Sequence, residues 1–141
     1  MPLLVRTLCF ALMTAFLALL FAGAAQAQSA ADEAQIHDII ARQLDAIDRG
    51  DGSAAFALAS PSIQTLFQGP ETFIDMVARG YPQLLHARRH RFLKLEMMNG
   101  ALTQRVLIDG EKGSVVARYE MIMVEGQWRI NGCMLEARQD A

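Results

Sequence analysis

The sequence predicts an α+β domain in which N-terminal helices pack on a four-stranded antiparallel sheet. Three observations lead there. Apolar residues recur at helical spacing as far as Gly80. From about Arg91 onward they alternate or run in short stretches, which is the period of strands. Asn99-Gly100, Asp109 to Gly113 and Glu125-Gly126 then cut this second half into four segments joined by turns too short for a crossover. Helices first and a meander second place the helices on one face of the sheet.

A signal peptide precedes this domain. Arg6 gives a positive start, Leu8 to Ala25 carries no charge, and Ala25-Gln26-Ala27 has the A-x-A form of a cleavage site. An uncleaved membrane anchor is the competing reading, since the uncharged run spans 18 residues. Against it stand the small residues that end the run and the acidic pair Asp32 and Glu33 after it. Cys9 lies inside the run, not after it, which argues against a lipid-anchored form. The protein is therefore expected in the periplasm or outside the cell.

Removing residues 1–27 leaves 114 of the 141, enough for one domain with a modest core. The expected layout is a loose leader over 28–33, a single α+β domain over 34–137 and a tail over 138–141. After cleavage 12 basic residues face 15 acidic ones, a balance that gives no reason to expect nucleic acid. Cys133 is the only cysteine left, so no internal disulfide forms and packing alone must hold the fold.

The first helix runs from about Asp32 to Arg49. Ile36, Ile39, Ile40, Leu44 and Ile47 form its apolar stripe, with Asp38, Arg42, Asp45 and Asp48 between them. Asp32 and Glu33 suit the positive end of its dipole, and Gly50 stops it. Ser53 caps a second short helix containing Phe56. Ser60-Pro61 opens a third, carrying Ile63, Leu66 and Phe67. Gly69-Pro70 opens a fourth, in which Phe73, Met76 and Val77 share a face. Gly80 ends it, and Tyr81-Pro82 cannot continue it.

The strands are expected at Arg91 to Met98, Ala101 to Asp109, Gly113 to Glu125 and Gln127 to Ala137. Strict alternation assigns Leu93, Leu95 and Met97 of the first strand to the helix-facing side. Leu102, Gln104, Val106 and Ile108 follow from the second, and Val115, Ala117, Tyr119, Met121 and Met123 from the third. The fourth contributes Trp128, Ile130, Gly132 and Met134. Gly132 is also a bulge signal, which leaves the face of its neighbour Cys133 open.

Several segments together resemble a bacterial family catalogued as domain of unknown function 4864. They are Asp51 to Pro61, Pro70-Glu71 with Phe73, Gly80-Tyr81-Pro82, Gln104-Arg105-Val106, Tyr119-Glu120-Met121 and Trp128 to Gly132. The resemblance covers about Ala34 to Leu135. It implies a fold of the nuclear transport factor 2-like, cystatin-like superfamily, where a curved sheet wraps helices into a cone with a pocket at its open end. That superfamily holds enzymes such as ketosteroid isomerase and scytalone dehydratase, and many proteins without catalysis. No established activity comes with the family, so no catalytic residue is carried over.

Gln104, Tyr119 and Trp128 bring polar atoms to the otherwise apolar side of the sheet, and those atoms need partners when buried. One reading makes them, with Tyr81, the lining of a ligand pocket; Gln104 and Tyr119 would then lie on one side of the sheet beneath Gly80-Tyr81-Pro82. The other makes them core anchors bonded to each other or to backbone. The cluster from His86 to Arg91 offers Arg88, Arg89 and Arg91 to an anion, or is a solvated connection into a strand. His86 and His90 have a metal spacing only if helical, and no third ligand is suggested, so no metal or cofactor is expected. Asp38, Asp45 and Asp75 are the candidate general bases, but their spacing puts them on solvated helix faces. The expected function is non-catalytic binding of a small apolar or amphipathic molecule, or of a protein segment, in the cone. The alternatives are a lyase or isomerase in the same cone and a structural domain that dimerises through its sheet.

Overall fold

The computed structural model describes residues 29–136. The expected signal peptide and the tail over 138–141 lie outside them. The chain is helical from 29 to 48 (α1), so residues 29–33, expected in the leader, are already helix. Ile36, Ile40, Leu44 and Ile47 are buried, as a helical stripe requires. Asp38 pairs with Arg42 and Asp45 with Arg49 along the exposed side.

Helix α2 is Gly52–Ala57. Its cap is Asp51, whose carboxylate accepts from the Ala54 N–H at 3.0 Å, and not Ser53, because the helix starts two residues earlier than that cap implies. A Cβ at Gly52 would meet the Pro70 carbonyl at 3.2 Å and the Ile74 Cβ at 3.3 Å, so glycine lets α2 cross tightly over the next helices. Helix α3 is Pro61–Phe67, capped by Ser60, whose hydroxyl accepts from the Ile63 N–H at 3.3 Å. Helix α4 is Pro70–Gly80, and a 3-10 turn over Pro82–Leu84 leads to the sheet.

The sheet has four strands: β1 Ala87–Met98, β2 Ala101–Gly110, β3 Gly113–Val124 and β4 Gln127–Leu135. They are antiparallel in the order β1-β2-β3-β4, a plain meander. Asn99 and Gly100 have φ of 51° and 82°, Glu125 and Gly126 of 49° and 77°, the two left-handed residues that tight hairpins need.

Two bulges overturn part of the strict alternation. The β1–β2 register shifts between Phe92 and Leu95. Phe92, not Leu93, therefore stands opposite buried Val106, while Leu95 stands opposite Gln104. The β3–β4 register shifts at Asn131: Met121 faces Ile130, but Glu120 faces Gly132 and Tyr119 faces Cys133. Gly132 and Met134 thus turn away from the helices, Met134 to 62% exposure, and Cys133 and Leu135 turn in. One extra residue flips every later side chain to the other face and bends the strand.

Each bulge is held by a polar side chain. Gln104 Nε2 donates to the Leu93 carbonyl at 3.1 Å, within the β1 bulge. Asn131 accepts from the Ser60 hydroxyl at 2.8 Å and donates to Glu120 at 2.8 Å. Beside it, the Ser60 N–H donates to the Ile130 carbonyl at 2.8 Å and the Ile130 N–H to the Leu58 carbonyl at 3.1 Å. Residues 58–60 therefore cover the β4 edge as a short parallel bridge. The core between helices and sheet contains Ile36, Ile40, Phe73, Val106, Ile108, Ala117, Tyr119 and Ile130.

Candidate functional site

Helices α3 and α4 do not close fully on the sheet. Between them and β4 lies an apolar pocket of about 200 Å³. Helix α1 supplies Gln43 and Ile47, α3 supplies Ile63, Leu66 and Phe67, and α4 supplies Phe73, Met76 and Val77. The remaining wall is Tyr81 and Leu84 with Ile130, Gly132 and Cys133 of β4. Phe73 sits 5.5 Å from the Phe56 ring and edge-on to Phe67 at 5.8 Å, which fixes one side of the cavity. Leu66 lines the pocket yet is 69% exposed, so it marks the mouth.

The polar atoms around the pocket are few. Gln43 Nε2 donates to the Ala55 carbonyl at 3.3 Å. The Tyr81 hydroxyl donates to the Cys133 carbonyl at 2.8 Å, and burial holds its pKa above the usual phenol value. Cys133 is half-buried as a residue, but burial pushes its thiol up to about 12, so it is protonated at neutral pH and a poor nucleophile. Among the described residues no Asp, Glu, Lys, Arg or His lines the cavity. An apolar cavity near 150 Å³ already accommodates a benzene-sized molecule, so this one has room for a neutral apolar ligand.

On the opposite face of the sheet a second hollow of about 230 Å³ lies over Met98, Thr103, Arg118 and Met134. Gly132 and Cys133 border both cavities, because the bulge leaves only glycine to cover the strand there.

The structure distributes the expected site residues unevenly. Tyr81 lines the pocket. Gln104 and Tyr119 face each other across β2 and β3 on the helix side, as alternation requires, but neither lines the cavity. Gln104 is fully buried among protein partners: its Nε2 donates to Leu93 and, at 2.8 Å, to the Arg105 carbonyl, and its Oε1 accepts from His37 Nε2 at 3.1 Å. With both amide hydrogens committed, Oε1 can only accept, so His37 carries a proton on Nε2. The His37 ring also stacks on Phe92 at 3.9 Å. The Tyr119 hydroxyl is buried without a hydrogen bond of adequate geometry; the group against it is the Cys133 thiol. Trp128 is half-buried against the core, opposite Met123, and outside the pocket wall.

Arg88, Arg89 and Arg91 are all exposed. Arg88 is the extra residue of a further register shift and reaches Glu111 at 3.1 Å, while Arg89 stands opposite Asp109 and Arg91 opposite Leu107. His86 precedes β1 and His90 lies within it, so helical metal spacing does not apply. Among the described residues no group of three metal-ligating side chains occurs. Asp38, Asp45 and Asp75 each pair with an arginine four residues on, in exposed helix surface. The apolar lining of α3 and α4 escaped sequence reasoning. Its helical spacing is the same whether a face is packed or left open, and no local signal separates the two.

The sequence profile of the family described as domain of unknown function (DUF4864) matches residues 29–141. None of the curated proteins matches the chain. Among solved structures, the chain is similar to an NTF-2 like protein of unknown function from Shewanella oneidensis MR-1. Identity is 15%, the match covers 73% of this chain and 97% of that one, and the TM-score is 0.47.

Proposed function

The chain belongs to the DUF4864 family, and from that premise we propose that it is an exported, non-catalytic binding domain that takes a small apolar molecule into the pocket between α3, α4 and β4. The observation that carries this reading is the cavity itself: about 200 Å³, walled by Ile, Leu, Phe, Met and Val side chains, with an exposed leucine at its mouth. Cores are normally packed to near-crystalline density, so an open apolar space of this size calls for an occupant. The lyase or isomerase reading draws less support. It needs a carboxylate base in the cavity, and the three candidates Asp38, Asp45 and Asp75 lie in exposed ion pairs.

Native mass spectrometry of the protein purified from its own periplasm tests this reading. The expected spectrum shows a chain beginning at or near Gln28 with a noncovalent small-molecule adduct. Ile63→Trp, which fills the cavity, should lose the adduct while the fold survives. A spectrum of bare chain from both proteins would overturn the binding role, and an intact Met1 would overturn export by cleavage.

A further inference from the structure

The chain has two tyrosines, and their hydroxyls meet at one residue. Tyr81 donates to the Cys133 carbonyl. Tyr119, fully buried, lies against the Cys133 thiol and has no hydrogen-bond partner. A buried hydroxyl left unmatched is rare in a folded protein and asks for an explanation. Its cross-strand neighbour Gln104 does not supply the partner: its amide is engaged by Leu93, Arg105 and His37. The thiol is only a weak acceptor. Cys133 itself lines the pocket, so the residue whose thiol lies against the orphaned hydroxyl is also part of the cavity wall.

Resting on the reading of the cavity as a ligand site, we propose that Tyr119 is its polar anchor, donating through a displaced Cys133 side chain to a neutral apolar ligand that carries a carbonyl or ether oxygen at its inner end. The ligand is neutral because no cation lines the cavity to offset a buried carboxylate or phosphate. It presents an acceptor because the Tyr119 hydroxyl keeps its proton; burial holds its pKa well above the usual phenol value. One oxygen suffices because most of the lining is apolar, Ile63, Leu66, Phe73, Met76 and Val77 among it.

Acetophenone and ethylbenzene test the proposal, since they have nearly the same shape and differ by one carbonyl. Each is titrated into the full chain and followed through the methyl NMR signals of Ile63 and Leu66. Both should bind. Tyr119→Phe should weaken acetophenone roughly fivefold and leave ethylbenzene within about twofold, the effect of one net hydrogen bond. Cys133→Ala, which clears the path, should tighten acetophenone relative to ethylbenzene. If both compounds bind and Tyr119→Phe changes them equally or not at all, the anchor is wrong and the pocket stands. If neither compound shifts the pocket methyls, the ligand site itself falls. Should Tyr119→Phe fail to fold, Cys133→Ala decides alone: an unchanged preference between the two compounds overturns the anchor.

Discussion

Gln104→Met should be among the most damaging single substitutions in this domain, although it keeps the length of the side chain and adds no charge. Gln104 is fully buried and makes three hydrogen bonds, at 2.8, 3.1 and 3.1 Å, to Arg105, Leu93 and His37. Each bond contributes about 1 kcal/mol net, so the loss is about 3 kcal/mol. Methionine fills nearly the same volume, so little of this comes from a cavity. The larger part comes from groups left without their partner, among them the Leu93 carbonyl in the β1 bulge. For a domain of this size the melting temperature should fall by roughly 12 °C. Urea unfolding followed by circular dichroism should show a lower midpoint with an unchanged slope. Tyr119→Phe, one strand away on the same face, is the control: it removes a hydroxyl with no partner and should leave stability unchanged or slightly raised. A loss under about 0.5 kcal/mol for Gln104→Met would refute the view that Gln104 holds the bulge.

Trp128→Ala should cost about 2 kcal/mol, below the usual range for a fully buried tryptophan because Trp128 is only half-buried against the core; an unchanged melting temperature would contradict its core placement. Cys133 should remain an unpaired thiol that reacts with iodoacetamide roughly a thousandfold more slowly in the folded chain than in urea, because burial moves it from 9.0 to about 12; equal rates, or a covalent dimer on a non-reducing gel, would refute this. Glu136 accepts from Arg105 through both oxygens, at 2.9 and 3.0 Å, and the guanidinium holds its carboxyl below the ordinary value of 4.5. A carboxylate depressed in the folded state contributes stability above its unfolded pKa and loses it as pH falls through the folded value. Glu136→Gln should therefore destabilise the protein at pH 7 and converge with wild type at strongly acidic pH; a gap that widens on acidification would reverse the assignment.

Much of the architecture is legible from local chemistry. The Ile36 to Ile47 stripe, the Ser60-Pro61 and Gly69-Pro70 helix starts and the Asn99-Gly100 and Glu125-Gly126 hairpins all act within a few residues, so spacing and turn residues alone specify them. The same holds for the pairing of Gln104 with Tyr119, which follows from the period of two and the short turn between β2 and β3. The roles of those two residues did not follow. Gln104 reads in sequence either as a pocket group or as a core anchor bonded to backbone, because it is a polar residue in an apolar run; only the bulge opposite it reveals which carbonyl it serves. Gly132 signals the β4 bulge in the sequence, but a bulge depends on two strands at once, and one strand alone does not show where the register shifts. The β4 bulge has the same origin: Asn131 becomes the extra residue because Ser60 and Glu120, distant in sequence, hold it there. That single insertion turns Cys133 inward against Tyr119 and Met134 out.

The sequence by itself determined the α+β class, the order of helices and strands, the hairpins and the family. Tertiary structure alone decided the pocket and which side chains face it. A cavity is a deficit of packing among Ile63, Leu66, Phe73, Met76 and Cys133, residues brought together from α3, α4 and β4. Periodicity specifies which face of each element is apolar. How closely two such faces approach is set by the crossing of the helices, by the glycine contact at Gly52 and by the bend that the bulges put into the sheet, and those are properties of the assembled chain.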